Sequence, residues 1–330
     1  MINRKITGIL PYFSLIVLSA FLFSCVPAQA GPTYTDPEKV DADYAFQGEY
    51  SGEVGEKNSK VGIQVIALGK GKFHAVVYPG GLPGDGWNKE KKIEVDGTLE
   101  NGAVTFTSDK GSAVISDSVL IIYDDSSTKV GEIQKVKRES PTLGKKAPKG
   151  AVVLFDGTNA DAWIKGKVEK GVLVQGTTSH QKFGDQHLHI EFRLPYKPED
   201  RGQGRGNSGI YLQGRYEVQM LDSFGLEGKM NECGGLYSVK DTDFNMCFPP
   251  LTWQTYDIDF TAAKYEGDKV VSAPRITVKH NGVVIQDNVE LPGNRGTTAS
   301  PVKAGSEPGP VYLQNHGNPV IYRNIWVQEK

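Results

Sequence analysis

Two runs of alternating character, joined at Gly214, constrain this chain more than any other stretch. In the first, Ser208, Ile210 and Leu212 alternate with Asn207, Gly209, Tyr211 and Gln213. In the second, Tyr216, Val218 and Met220 alternate with Arg215, Glu217 and Gln219. A strand repeats every two residues, so each set occupies one face. The apolar set supplies a core. The other set gathers amides, Arg, Glu and Tyr, groups that make directed bonds to hydroxyl-rich ligands. It also reads as an ordinary polar sheet face, and alternation alone does not separate the two. Gly209, in mid-strand, marks a bulge or the close approach of another group to the backbone.

The rest of the chain follows the same period. Gly (39) and Pro (18) are plentiful, apolar runs are short and long helical periodicity is missing, so the expected class is all-β. Residues 31–45 read as a leader. Short strands follow at 50–54, 61–68, 73–78, 92–95, 103–107, 112–115, 119–122 and 130–136. Their spacing predicts a small antiparallel barrel or sandwich over 46–136. Trp87, on a Gly/Pro-rich loop, either stacks on a sugar ring or caps its own barrel. No catalytic constellation falls in this half. Residues 137–150 are charged, hold two Pro and two Gly, and read as an interdomain linker. About ten strands with long loops then fit a two-sheet jelly-roll sandwich over 151–330. Within it, 223–251 is long enough to be a functional flap. Asn281-Gly282 predicts a type I′ hairpin, and 292–310 is a second Gly/Pro-rich loop.

Residues 1–30 read as a signal peptide, with Arg4 and Lys5 before an apolar run and a cleavage site at Ala28-Gln29-Ala30. The alternative is a lipoprotein, with lipid on Cys25 after Leu22-Phe23-Ser24. Without this segment the chain has 35 basic and 39 acidic residues. That balance gives no footprint for nucleic acid, and no basic patch for a membrane. Two cysteines remain, Cys233 and Cys247; an exported compartment predicts a disulfide between them. His187, His189 and Glu191 share one strand face opposite Leu188, Ile190, Phe192 and Leu194. They form either a metal set or a hydrogen-bonding polar face. A structural Ca²⁺ bracing the sandwich is the one cofactor considered, and no ligand loop argues for it. Oligomeric state is not legible.

Several motifs together resemble the DUF1080 family, also called the 3-keto-disaccharide hydrolase domain. They are Phe155-Asp156-Gly157, His189-Ile190-Glu191-Phe192-Arg193, Gly206-Asn207-Ser208-Gly209 and Gly214-Arg215-Tyr216-Glu217-Val218-Gln219. Gly234-Gly235-Leu236-Tyr237, Trp253-Gln254-Thr255-Tyr256-Asp257, Leu313-Gln314-Asn315-His316-Gly317 and Arg323-Asn324-Ile325 continue the series in order, so the resemblance spans 151–330. It implies a concanavalin-like jelly roll, export and action on 3-keto-glycosides.

Ordinary glycosidases flank the scissile bond with two carboxyl groups. Glu217 has Leu221, not an acid, four residues on, which weakens that reading; Glu191 and Glu217 on neighbouring strands remain a candidate pair. A 3-keto sugar asks instead for a base, an enolate stabiliser and an acid. His316 suits base or acid, because histidine changes charge near neutral pH; Glu217 or Glu191 takes the other role. Arg215, Gln219, Asn207, Gln314, His189, Tyr211 and Asp222 are the candidate substrate-binding residues. For several a structural role competes: His316 closing its turn, Arg215 pairing with a glutamate, Asp222 bracing the flap. The competing functions are a lectin-like carbohydrate-binding protein and a hydrolase of unoxidised glycans.

Overall fold

The structure is a computed structural model that describes residues 31–174 and 176–330. The signal peptide, cleavage site and Cys25 anchor expected over 1–30 lie outside the described residues. Among those described, no helix is long and apolar enough to cross a membrane.

Eight strands come first: β1 (Gly48–Val54), β2 (Ser59–Gly69), β3 (Lys72–Pro79), β4 (Ile93–Glu100), β5 (Ala103–Ser108), β6 (Gly111–Ser116), β7 (Val119–Tyr123) and β8 (Lys129–Val136). Each pairs with the next, and β8 returns to β1, closing an antiparallel barrel. Closure removes the exposed edges that open sheets must protect. Every second residue points inward: Val61, Ile63, Val65 and Ala67 on β2, Phe73 and Ala75 on β3, Val104 and Phe106 on β5. On the outside, a Cβ at Gly62 would lie 2.4 Å from the Leu82 nitrogen, so only glycine lets the loop after β3 lie against β2. Trp87 of that loop packs edge-on against Tyr78, 5.0 Å between centroids, and its indole N–H donates to Glu90 O at 3.1 Å. The ring therefore packs on the outer wall of its own barrel, beside Phe224 of the flap.

The remaining strands are β9 (Val152–Phe155), β10 (Trp163–Ile164), β11 (Lys167–Glu169), β12 (Val172–Val174), β13 (Thr178–Phe183), β14 (Gln186–Arg193), β15 (Ser208–Leu212) and β16 (Tyr216–Met220). Then come β17 (Trp253–Thr261), β18 (Lys264–Glu266), β19 (Lys269–Ser272), β20 (Arg275–His280), β21 (Val283–Glu290), β22 (Gly309–Leu313) and β23 (Ile321–Glu329). All but β18 and β19, which pair only with each other, form a jelly-roll sandwich. One sheet runs β10-β13-β22-β15-β16; the other runs β11-β12-β23-β14-β17-β20-β21, with β9 also on β23. Ile210, Leu212, Val218, Met220 and Leu313 of the first sheet share a core with Leu188, Ile190, Phe192, Ile258 and Val278 of the second. Asn281 and Gly282 make the β20–β21 turn with φ of 50° and 81°, as the type I′ reading requires.

Barrel and sandwich belong to one compact unit, Gly31–Lys330. Tyr34 and Tyr196 exchange two backbone bonds of 2.9 Å, and Tyr196 is buried in the barrel's apolar cluster. Residues 137–150 are tied to both parts. Arg138 binds Glu49 at 2.5 Å and Pro83 O at 2.7 Å on the barrel. Thr142 and Lys145 bind Asp257 of β17 at 2.7 and 2.9 Å.

One expectation is corrected here. Cys233 and Cys247 are buried free thiols, not a disulfide. The two thiols contact each other; Cys233 Sγ also lies 3.2 Å from the Tyr256 hydroxyl, and Cys247 Sγ 3.5 Å from the carbonyls of Leu221 and Phe248. The flap is held by other bonds. The Asn245 amide donates to the carbonyls of Ser223 at 2.7 Å and Leu226 at 2.9 Å.

Candidate active site

β15 and β16 pair in the register Gly209↔Gln219, Ile210↔Val218 and Tyr211↔Glu217. The alternate residues of both strands turn away from the core, as the sequence period demands. This outward face is nevertheless buried throughout. The reason is the free edge of β16. The flap adds to it: Gln219 N donates to Gly235 O at 3.0 Å and Gly234 N to Gln219 O at 2.9 Å. Loop 292–310 adds to it as well, with Glu217 N donating to Thr297 Oγ1 at 3.0 Å. The two covers meet where Thr298 Oγ1 donates to Ser238 Oγ at 3.0 Å.

A cleft of about 100 Å³ remains between them, lined by Gln203, Asn207, Glu217, Gln219, Tyr237, Thr298, Ala299, Gln314 and His316. Glu217 is 2 % exposed, and its Oε1 has no hydrogen-bond partner. Nor has Asn207 Oδ1, which is equally buried. Buried polar atoms are normally satisfied, so two unpartnered acceptors on one cleft mark a place built for donors from outside. Burial pushes the Glu217 carboxyl up to about 7; the adjacent Tyr211 hydroxyl partly opposes this. Tyr211 is in turn held by the Gln314 amide, which donates to its oxygen at 3.2 Å. Gly209 makes the arrangement fit: a Cβ there would lie 2.1 Å from Glu217 Oε1. The mid-strand glycine thus marks the close approach of this carboxyl. The amides of Asn207 and Gln219 both donate to Gln203 Oε1, at 2.9 and 3.1 Å, which fixes them in place.

The profile of the 3-keto-alpha-glucoside-1,2-lyase-like domain matches residues 150–328. The chain belongs to this family. A search of curated proteins gave no match. Among solved structures, one from Parabacteroides distasonis ATCC 8503, provisionally described as a glycosyl hydrolase, is similar at 35 % identity and a TM-score of 0.51. The match covers 56 % of this chain and 85 % of that one. A second structure from the same organism, with the same description, shares 17 % identity at a TM-score of 0.40, covering 55 % of this chain and 94 % of its own.

Within this lyase-like domain the expected site residues separate into two groups. Asn207, Glu217, Gln219, Gln314 and His316 converge on the cleft, with Tyr211 directly behind Glu217. The others do not. Glu191 and Glu217 are not on neighbouring strands: β14 and β16 belong to different sheets, and the two residues face opposite outer sides of the sandwich. Glu191 instead accepts from Arg323 Nε (2.6 Å), Asn324 Nδ2 (2.8 Å) and Gly144 N (2.6 Å). Burial alone would raise its pKa, but these donors and His189 hold it down at about 2. His189 is fully buried, with Nδ1 3.0 Å from Asp257 and Trp326 stacked on its ring. Burial disfavours the imidazolium, yet Asp257 and Glu191 outweigh it and raise the pKa. His187 lies 3.2 Å from Asp259. Among the described residues no three such side chains converge as a metal set. The His-x-His-x-Glu face is a hydrogen-bonded latch for residues 142–145.

Arg215 is also misplaced for substrate. Its guanidinium donates to Lys303 O (2.7 Å), Glu307 O (2.9 Å) and Gln213 Oε1 (2.8 Å), pinning loop 292–310. Asp222 accepts from Arg205 Nε at 2.7 Å, beneath the start of the flap. Sequence reasoning missed Gln203, Tyr237, Thr298 and Ala299. They lie in loops or, for Gln203, in a single 3-10 turn (Gly202–Gly204), where no period indicates which side chains turn inward; Tyr237 closes the Gly234-Gly235-Leu236 motif, the one available signal.

Proposed function

We propose that this enzyme cleaves the glycosidic bond of 3-keto-glycosides by β-elimination followed by hydration. The observation that carries the reading is a single buried carboxyl, one oxygen of which has no partner, with its pKa raised to about 7, in a cleft lined by no second carboxylate. A pair of carboxyl groups is what a conventional glycosidase needs. One base is what a 3-keto sugar needs, because the ketone acidifies the hydrogen on C2. Support also comes from family membership and from the similar structure described as a glycosyl hydrolase.

In this reading Glu217 takes the C2 proton, and the C–H electron pair moves onto the C3 oxygen as an enolate. The carbonyl then re-forms, the C1=C2 bond forms and the C1–O bond breaks. His316, on the exposed rim of the cleft, gives a proton to the departing oxygen. Water adds to C1 of the enone and a proton returns to C2, which completes net hydrolysis. Asn207 Oδ1 accepts a sugar hydroxyl, and Gln314 and Tyr237 supply donors for the enolate. Export, with residues 1–30 as the signal, is part of the same proposal; cell fractionation of the tagged protein checks it.

The test is incubation of a 3-keto-glycoside and the matching unoxidised glycoside in deuterated water, followed by NMR. Cleavage of the keto compound alone, with deuterium at C2 of the released sugar, is expected. A control with that sugar alone corrects for exchange by enolisation. Cleavage of both compounds without deuterium would make the enzyme an ordinary glycosidase. Saturable binding without cleavage of either would favour a lectin.

A further inference from the structure

The barrel holds a larger cavity than the sugar cleft, about 420 Å³, and the two share no lining residue. An eight-stranded barrel is just wide enough to be filled by side chains or to admit one small ligand. Here the two ends differ. One is plugged by Tyr50 and Phe73, with Phe46 edge-on to Phe73 at 6.0 Å and Tyr196 and Leu251 closing over them. At the other end the lining includes Ala75, Ala113, Ser108 and Gly111, residues too small to fill the bore. The cavity descends from this end to Ile63, Phe106 and Leu120. Its walls include Val77, Val95 and Ile122, which stay only half-buried, and Ile93 at the mouth is 40 % exposed.

Its polar groups sit at the mouth. None of the buried unpartnered polar atoms among the described residues lies in the cavity, so nothing inside replaces the hydrogen bonds a sugar would lose on entry. The mouth carries Lys91, Lys92 and Lys110 against Glu94 and Asp109. Glu94 is within 3.3 Å of His74, and Lys92 reaches Glu227 of the flap at 2.5 Å. Lys91 and Lys110 take part in no ion pair among the described residues, and both are exposed. An apolar bore with free cations at its mouth fits one kind of small molecule.

We propose that the open end of the barrel binds a medium-chain carboxylate, the alkyl chain in the bore and the carboxylate against Lys91 and Lys110. The volume lies inside the roughly 300–1,000 Å³ range of small-molecule sites. Glu94, Asp109 and Glu227 balance the three lysines at the mouth, so the choice of an anionic head rests on the ion pairs that Lys91 and Lys110 offer it locally and that a neutral head cannot form.

Calorimetry with the purified protein tests this, using decanoate, decanol and glucose, with hexanoate to tetradecanoate as a chain-length series. Decanoate is expected to bind one to one, glucose not at all, and the series to show an optimum set by the depth of the bore. Ala113→Trp fills the cavity and should weaken decanoate by at least about tenfold. Circular dichroism and unchanged turnover of a 3-keto-glycoside check that this variant is folded. The double variant Lys91→Glu, Lys110→Glu, on the surface, should weaken decanoate about fivefold and leave decanol unchanged. Absence of saturable decanoate binding would overturn the proposal, as would binding that ignores Ala113→Trp. Affinity that rises with chain length without an optimum indicates non-specific adsorption and overturns it too. Equal affinities for decanol and decanoate would overturn the assignment of the head group.

Discussion

Glu217 and Glu191 sit on opposite outer faces of one sandwich, at 2 % and 1 % exposure, and burial has opposite results for them. Glu191 is met by a guanidinium, an amide and a backbone N–H, and its carboxyl is held at about 2. Glu217 is met by a glycine, a tyrosine and the cleft, and its carboxyl rises to about 7. Burying a charge is costly unless it is paired. One face meets that cost with partners and gains a latch on the segment between barrel and sandwich. The other leaves it largely unmet, opposed only by the Tyr211 hydroxyl, and so holds a carboxyl whose pKa is raised to about 7, as the proposed base requires.

The sharpest way to break this comparison is to make both residues amides. Glu217→Gln should lower kcat/KM for a 3-keto-glycoside by about 10³-fold while the protein stays folded. It should also alter stability with a definite sign. A carboxyl whose folded pKa is raised favours the folded state below its unfolded pKa, and that contribution is lost as pH climbs through about 7. The variant should therefore be more stable than the parent at pH 8, by on the order of 2–3 kcal/mol, and equal to it near pH 4. Glu191→Gln should do the reverse. It should lose about 2–3 kcal/mol at pH 7, because Arg323 is left without its partner, and keep kcat per folded molecule. Urea melts at both pH values together with steady-state kinetics decide the matter. A catalytic collapse in Glu191→Gln with unchanged stability would end the contrast.

The second test concerns the proton donor. His316→Ala should cost about 10²-fold in kcat with an alkyl leaving group, and far less with a nitrophenolate, which departs without protonation. A loss independent of the leaving group would move His316 from acid to another role. The third concerns the glycine. Gly209→Ala puts a methyl group where Glu217 Oε1 lies and should lower kcat by roughly tenfold through displacement of the base. The buried carboxyl must shift to make room, at a cost of on the order of 1–3 kcal/mol in stability, so kcat per folded molecule is the readout. The control is Gly204→Ala, a position where a Cβ meets nothing within 4 Å.

The contrast was only half legible in the sequence. Period-two patterning placed the eight barrel strands, the Ile210/Val218 core face and the polar face of β15 and β16. These follow from local chain geometry, which the residue order states directly. What it does not state is which strands become neighbours in a sheet. Glu191 and Glu217 look equivalent until sheet order puts β14 beside β17 and β23, and β16 at an edge. The functions of Arg215, pinning loop 292–310, and His189, bracing the Asp257 that holds Thr142 and Lys145, depend on where long loops come to rest. Loop packing is a tertiary outcome with no periodic signal. Cys233 and Cys247 are a nearer case: the fold does bring the two sulfurs together, as buried free thiols in contact.

Tyr211 offers the finest probe of the Glu217 side. Its hydroxyl faces the carboxyl and draws the pKa down against the larger effect of burial. The same oxygen accepts from the Gln314 amide at 3.2 Å, so the tyrosine links the base to the strand that leads to His316. Tyr211→Phe keeps the ring, which lies 5.1 Å from that of Tyr312, and removes only the hydroxyl. The base must be ionised to act, so kcat/KM should rise with pH through about 7 in the parent. Without the hydroxyl the carboxyl is harder to ionise, and the rising limb should move to higher pH, by less than about one unit. At high pH the two enzymes should then converge. A variant that is equally slow at every pH would mean that Tyr211 supports the shape of the cleft and not the ionisation of its base.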